Sequence, residues 1–423
     1  MTGIEKLRTS IRFDMAKRPI RQRNFLRPVT WIVSYPSIWK RRLKINRQRM
    51  EGLKPPYLLL CTHHAFMDFK VTTAAIFPHR ANYVVAIDGF IKKEWLLRQV
   101  GGICKRKFTN DIQLVRQIRQ VLTEHGDVLA LYPEARYSLV GTTAVLPASL
   151  GKMAKMLKVP VVVLNMHGNY LNSPCWNLTK RGNRLEADLT QIFTTEELAK
   201  TTVAEVNKKI QEAFIYDEYA WQKKNKIIID RPWRAEGLHK VLYQCAHCLT
   251  EYRMKTQGVQ LSCDACQKVW QMSPLGELEA VQMATDENRL HTEFSHIPDW
   301  YEFQRKNVRA EVVAGTYHVQ VRAIVDALPN AKRYIRLGEA TLSHNMEGFV
   351  LEGVFSGEPF YLTKPVSSMY SCHIEYDYFG RGDCVDLSTL DDTYYVYPQE
   401  KACSVTKMAL ATEELFLSRE DNL

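Results

Sequence analysis

The chain offers no run of the roughly 20 apolar residues that a helix needs to cross a bilayer. Nor does its basic start lead into an apolar stretch that would serve as a secretory signal. It has no internal repeats and no low-complexity tracts. These absences argue against a helical membrane span, a repeat array and a disordered chain, and the expectation is a cytoplasmic protein. Net charge is scarce beyond residue 50 as well. The formal charge of +11 sits in residues 1–50, where 14 Lys or Arg face only Glu5 and Asp14. The remainder of the chain is close to neutral.

At 423 residues and 46% hydrophobic composition, the chain can bury two or three cores. The first 50 residues read as a basic amphipathic membrane-association segment. Between Arg27 and Lys40 runs an uncharged stretch, Pro28 to Trp39, with aromatics and two prolines. It is too short to span but suited to the interface, with Trp and Tyr at headgroup level and Arg and Lys on lipid phosphate. A helix packed on the body with a solvated basic face fits equally well. On the first reading the protein is peripheral on the inner face of the cell membrane and its partner is an anionic surface.

From residue 51 to 235 short apolar runs alternate with helical periodicity. Tyr57 to Cys61, Tyr83 to Ile87, Val128 to Tyr132 and Pro160 to Leu164 read as strands covered on both faces. Asn110 or Asp111 caps a predicted helix with Ile112, Val115, Ile118 and Leu122 on one face and Gly126 as its stop. A second helix is predicted from about Ser149 to Lys158. Thr194 and Glu197 form a capping box ahead of a helix that buries Val203, Val206, Ile210 and Phe214. The fold class is α/β, a mostly parallel sheet flanked by helices, with ligands expected outside the carboxyl ends of its strands.

Residues 240–275 hold two CxxC pairs, Cys245/Cys248 and Cys263/Cys266, with fourteen residues between them. That spacing reads as a zinc ribbon whose four thiolates close a tetrahedral Zn²⁺, a structural metal with no open position for substrate. His247 lies inside the first knuckle and reads as a bystander. The ribbon lacks a dense basic face, so no nucleic acid is expected. The other six cysteines are scattered, as in a reduced compartment. Residues 280–423 read as a β-rich C-terminal domain. A helix at Trp300 to Val313 precedes alternating strands, and a last helix carries Val405, Met408, Leu415 and Phe416. A small barrel of the pleckstrin-homology type suits that order.

The chemistry concentrates in four short blocks. His63 is followed five residues later by Asp68, where an apolar strand opens into a helix; a carboxylate there can hold an imidazole base in one tautomer. On a single helix the two would lie about 140° apart, so they meet only if His63 precedes the helix. His64 and Asp68, four apart, share a face without that bend. The second block is Gly101-Gly102-Ile103-Cys104-Lys105-Arg106-Lys107, the third Tyr132-Pro133-Glu134-Ala135-Arg136-Tyr137-Ser138, and the fourth Val159-Pro160-Val161-Val162. Together and in this order they resemble the glycerolipid acyltransferase family that includes bacterial 1-acylglycerol-3-phosphate acyltransferases.

The resemblance implies a His-x4-Asp catalytic pair, His63 and Asp68. It also implies substrate contacts from Gly102, Lys105, Arg106, Lys107, Glu134 and Arg136. The implied reaction moves a fatty acyl group from a coenzyme A or acyl carrier protein thioester to the free hydroxyl of a lysophosphatidic-acid-like acceptor in phospholipid synthesis, by direct transfer. Glycerol 3-phosphate or a glycolipid is the alternative acceptor, and a non-catalytic lipid-binding scaffold the alternative role. The blocks depart from the family at Thr62 for the usual Asn, Ala65 for Ser, Lys107 for Arg, Ala135 for Gly and Tyr137 for Arg. A thiol nucleophile at Cys61 or Cys104 is disfavoured, since a Cys ending an apolar run commonly packs there.

Overall fold

The computed structural model describes residues 1–282 and 290–420. Residues 283–289 and 421–423, within the expected 280–423 domain, lie outside the described residues. The first sheet is built from β1 (Lys44–Gln48), β2 (Tyr57–Cys61), β3 (Ala81–Ala86), β4 (Gly102–Lys105), β5 (Val128–Leu131), β6 (Val161–His167) and β7 (Glu186–Phe193), in the order β1-β7-β6-β2-β5-β3-β4. The five strands from β6 to β4 run parallel. β7 is antiparallel to β6 and carries β1 parallel on its outer edge. The sheet is therefore mixed, with its parallel part where the apolar runs predict it. Every residue of β2 is buried, as a central strand covered on both faces requires.

Helices α1 (Gly3–Thr9), α2 (Arg27–Lys40), α3 (Met67–Ala75), α4 (Glu94–Gln99), α5 (Ile112–Gln120), α6 (Ser149–Leu157), α7 (Asn169–Asn172), α8 (Thr195–Lys200), α9 (Val203–Ala213) and α10 (Glu218–Lys224) belong to this part of the chain. The capping box at Thr194 and Glu197 is present but opens the short α8; the helix that buries Val206 and Ile210 is α9, with its own box at Thr202 and Glu205 and with Val203 exposed. Gly126 is left-handed after α5 and its terminal turn. α5 turns a different face inward than its spacing predicts. Leu114, Ile118, Val121 and Leu122 are buried, whereas Ile112 and Val115 face outward. The two apolar stripes overlap, and packing on the sheet selects between them.

The N-terminal 50 residues, read from sequence as a separate segment, are woven into the body. Ile4 and Leu7 of α1 join the core beneath the C-terminal sheet, Arg12 pairs with Asp392, Arg21 with Asp127, and β1 completes the first sheet. Part of the basic charge is thereby committed to internal ion pairs.

The ribbon contributes four antiparallel strands, β8 (Met254–Gln257), β9 (Gln260–Cys263), β10 (Val269–Met272) and β11 (Leu278–Gln282). Next comes α11 (Ile297–Val313), whose Trp300 meets Trp270 of the ribbon edge to face at 4.9 Å. The last unit has strands β12 (His318–Leu328), β13 (Ile335–Asn345), β14 (Gly348–Phe355), β15 (Glu358–Pro365), β16 (His373–Glu375), β17 (Cys384–Ser388) and β18 (Thr393–Pro398), followed by α12 (Val405–Glu420). All its pairings are antiparallel, in the order β15-β14-β13-β12-β18-β17-β16. One hydrophobic core runs from this sheet through α11 and α12 to the ribbon and the 170–176 region of the first domain. Ribbon and sheet are thus built onto the α/β domain by burial of shared apolar surface.

Candidate active site

His63 and His64 leave the carboxyl end of β2 in the short loop before α3, so the pair His63 and Asp68 is not confined to one helix. Asp68 sits in the first turn of α3 and is 1% exposed. One carboxylate oxygen, Oδ2, accepts the backbone N–H groups of His64 (2.6 Å) and Ala65 (3.0 Å) and lies 3.0 Å from Nδ1 of His63. The other accepts Nδ2 of Asn169 at 2.8 Å. Four donors converge on one carboxylate and fix its position, and a carboxylate acceptor dictates that His63 carries its proton on Nδ1. The imidazole is gripped between Tyr132 and Tyr137, each with its ring centroid 4.5 Å away. The His63 side chain is 24% exposed, and its Nε2 has no hydrogen-bond partner among the described residues.

His64 is placed differently. It is fully buried, its ring meets Tyr216 at 4.6 Å, and neither ring nitrogen has a partner. Without access to solvent or a carboxylate it is a packing residue. Glu134 is equally buried and ties the loop down. It accepts the His63 backbone N–H (2.7 Å), the Ala144 N–H (2.9 Å) and the Tyr216 hydroxyl (2.9 Å). Its role here is to fix the backbone beneath His63.

The basic residues of the second and third blocks find their partners outside the His63–Asp68 pair. Arg106, 1% exposed, donates to the carbonyls of Leu328 and Pro329 and to the Thr393 hydroxyl, all in the C-terminal sheet. Lys107 lies 3.2 Å from Asp386 and 3.9 Å from Asp88. Arg136 pairs with Glu413 of α12 at 2.6 Å and donates to Ser371. Lys105 caps the Thr109 carbonyl, and burial holds its ammonium below the usual value. Gly102 opens β4 in close contact with Leu97, with no room for a side chain. Of the residues expected to contact substrate, Arg106, Lys107 and Arg136 instead make their contacts across a seam with the C-terminal sheet and α12. A buried guanidinium needs acceptors, and the C-terminal sheet supplies them.

Sequence reasoning missed Asn169 and the two tyrosines that flank His63. The signal for Asn169 was the Gly168-Asn169 pair at the end of an apolar strand, the place where a side chain faces the other strand ends. His167 and Gly168 beside it are held by Glu218, at 3.1 Å and 2.6 Å. Cys61 and Cys104 are buried, and burial pushes both thiols well up, which disfavours a nucleophilic thiolate.

In the ribbon, the sulfurs of Cys245, Cys248, Cys263 and Cys266 all lie within 4.8 Å of one another. The separations Cys245 to Cys266 and Cys248 to Cys263 are both 3.8 Å. That is far beyond the roughly 2.05 Å of a disulfide and matches the edge of a tetrahedron with metal–sulfur bonds of about 2.3 Å. Leu249 and Gln267, each just after a pair, adopt the same left-handed backbone, so the two knuckles are alike. The cluster can hold a metal ion. His247 points away, to Glu293 at 3.0 Å.

No protein-family model matches the chain, and no curated protein does. Among solved structures it is similar to the 1-acyl-sn-glycerophosphate (LPA) acyltransferase PlsC from Thermotoga maritima, at 14% identity and a TM-score of 0.37, over 45% of this chain and 77% of that one. An overlap of that size does not carry activity from one protein to the other. Among the described residues no helix is long and apolar enough to cross a membrane.

Proposed function

We propose that the chain is an acyltransferase that esterifies the hydroxyl of a lysophosphatidic-acid-like acceptor from an acyl thioester of coenzyme A or acyl carrier protein. The observation that carries this reading is the His63–Asp68 pair, with Nδ1 bonded to a fixed carboxylate and Nε2 without a partner among the described residues on a side chain that is 24% exposed. In the reaction Nε2 takes the acceptor's hydroxyl proton as the oxygen attacks the thioester carbonyl. Asp68 stabilises the imidazolium that forms. Collapse of the tetrahedral adduct expels the thiolate, which recovers the proton from His63. The products are an ester and a free thiol, and no group on the enzyme is acylated. Thioester consumption by the purified chain, followed across lysophosphatidate, glycerol 3-phosphate and neutral glycolipid acceptors, tests it. Turnover that depends on acceptor and is lost in Asp68→Ala is expected; lipid binding with no turnover would favour the scaffold reading.

The same reading places the protein on an anionic membrane through α2, peripheral to the inner face of the cell membrane. Val29, Ile32, Val33 and Trp39 point outward from α2, Phe77 is exposed nearby, and Lys40 and Arg42 flank the helix end. An apolar face rimmed by cations suits a bilayer interface. Ile32→Asp is expected to release the chain from anionic vesicles in a sedimentation assay; full retention would count against it. We assign the metal of the ribbon as zinc, bound structurally, with one zinc per chain expected by elemental analysis and none in Cys263→Ser. The antiparallel sheet with its closing helix supports a pleckstrin-homology-like reading of the last unit.

A further inference from the structure

With Arg106, Lys107 and Arg136 committed to the interdomain seam, a second group of cations stands without counter-ions. Arg41 caps the C-terminal end of α2, Lys70 lies on α3, Lys180 lies in the loop after α7 and Arg231 follows α10. None of the four forms an ion pair with a carboxylate among the described residues, whereas the neighbouring Arg234 takes Asp230 and Arg184 takes Glu186. Two of them, Arg41 and Arg231, meet at Gly182, whose φ of +89° suits glycine and which presents only backbone between them. A Cβ there would lie 3.5 Å from Arg231 Nη2 and 3.6 Å from Arg41 Nη1. Two guanidinium groups therefore flank one point. Lys70 reaches the Ser37 hydroxyl at 3.0 Å, and its ammonium is held below the usual value by burial and then by the like charges of Lys180 and Arg41.

Two buried donors at this turn lack acceptors. Asn172 is 1% exposed. Its Oδ1 accepts the Gly182 N–H at 3.2 Å, which fixes the amide's orientation, and its Nδ2 has no partner. Arg41 Nη1 is likewise buried and unpaired. Converging cations, unpaired N–H donors and a backbone turn without a side chain are the elements of an oxyanion site. Asn172 closes α7, whose first residue, Asn169, bonds Asp68. One turn of α7, a rise of about 4.5 Å, therefore connects the residue that holds Gly182 to the residue that holds Asp68.

We infer that Arg41, Lys70, Asn172, Lys180 and Arg231 around Gly182 form a binding cradle for a phosphate monoester. Assigning that phosphate to the acyl acceptor rests on the acyl-transfer reading, but the binding itself does not. The alternative source of the same group is a bilayer lipid, since the cradle abuts the end of α2. The test is calorimetric titration of the full chain with glycerol 3-phosphate, together with sedimentation on phosphatidylcholine vesicles with and without phosphatidate. Both are run on the wild type and on Lys180→Glu/Arg231→Glu, whose positions are exposed. The variant is expected to melt as the wild type does and to bind glycerol 3-phosphate about tenfold or more weakly, with the wild-type affinity falling as salt rises. Weakening confined to phosphatidate vesicles would support the cradle and assign it to a membrane lipid. Equal affinity of variant and wild type for both probes, or binding of neither by the wild type, would overturn the proposal. A chain that shows the loss yet consumes no thioester keeps the cradle and loses the acyl-transfer reading.

Discussion

Replacing His63 with alanine is expected to lower thioester turnover by about 10²- to 10⁴-fold, the usual contribution of a positioned general base, while leaving the fold intact. The ring is partly exposed and its one side-chain hydrogen bond is to Asp68, which keeps three other donors in the variant. His64→Ala has the opposite signature. His64 fills buried space beside Tyr216 and reaches neither solvent nor a carboxylate, so its loss should reduce stability and leave the folded fraction active. Rates normalised to folded protein separate the two. An active His63→Ala beside a dead His64→Ala would transfer the role of base to His64 and undo the mechanism.

Glu413→Gln should be among the most destabilising single changes in the chain, by about 3–5 kcal/mol. Glu413 is fully buried on α12. Its carboxylate takes Arg136 at 2.6 Å, Arg305 at 2.8 Å and the Ser371 hydroxyl at 2.7 Å. A neutral amide leaves the buried Arg136 without its carboxylate, while Arg305 keeps Glu414 and Glu302. Burial by itself works against ionisation of Glu413, but Arg136 and then Arg305 override it and bring the carboxyl down to about 2. A carboxyl depressed on folding adds stability that is complete above its unfolded value of about 4.3 and is lost as pH falls towards the folded value. Denaturant unfolding of the wild type should therefore lose stability between about pH 4.3 and 2, and the variant should lack that share. A Glu413→Gln variant as stable at neutral pH as the wild type would show that the network is not what joins α12 to the first domain.

Local pattern revealed what local physics decides. The apolar run of β2, the capping box at Thr194, the left-handed stop at Gly126 and the paired cysteines are each specified within a few residues of chain. So is the approach of His63 to Asp68, once the loop before α3 is allowed for. The destinations of Arg106 and Arg136 were not legible. Their acceptors lie more than 200 residues away, and a charged side chain reads the same whether it faces a ligand or another domain. The cradle around Gly182 escaped notice for a related reason. Its cations come from four separate places, each of which alone resembles a solvated surface.

The docking of α1 has a consequence for how the protein is made. A Cβ on Gly3 would lie 2.0 Å from the Arg336 carbonyl oxygen, so the first helix sits flush against β13. During synthesis that surface does not exist until more than 300 further residues have emerged, on the order of tens of seconds at ordinary elongation rates. Until then Ile4 and Leu7 must wait uncovered at the growing chain's oldest end. The contact between α1 and β13 thus joins segments more than 300 residues apart in the chain.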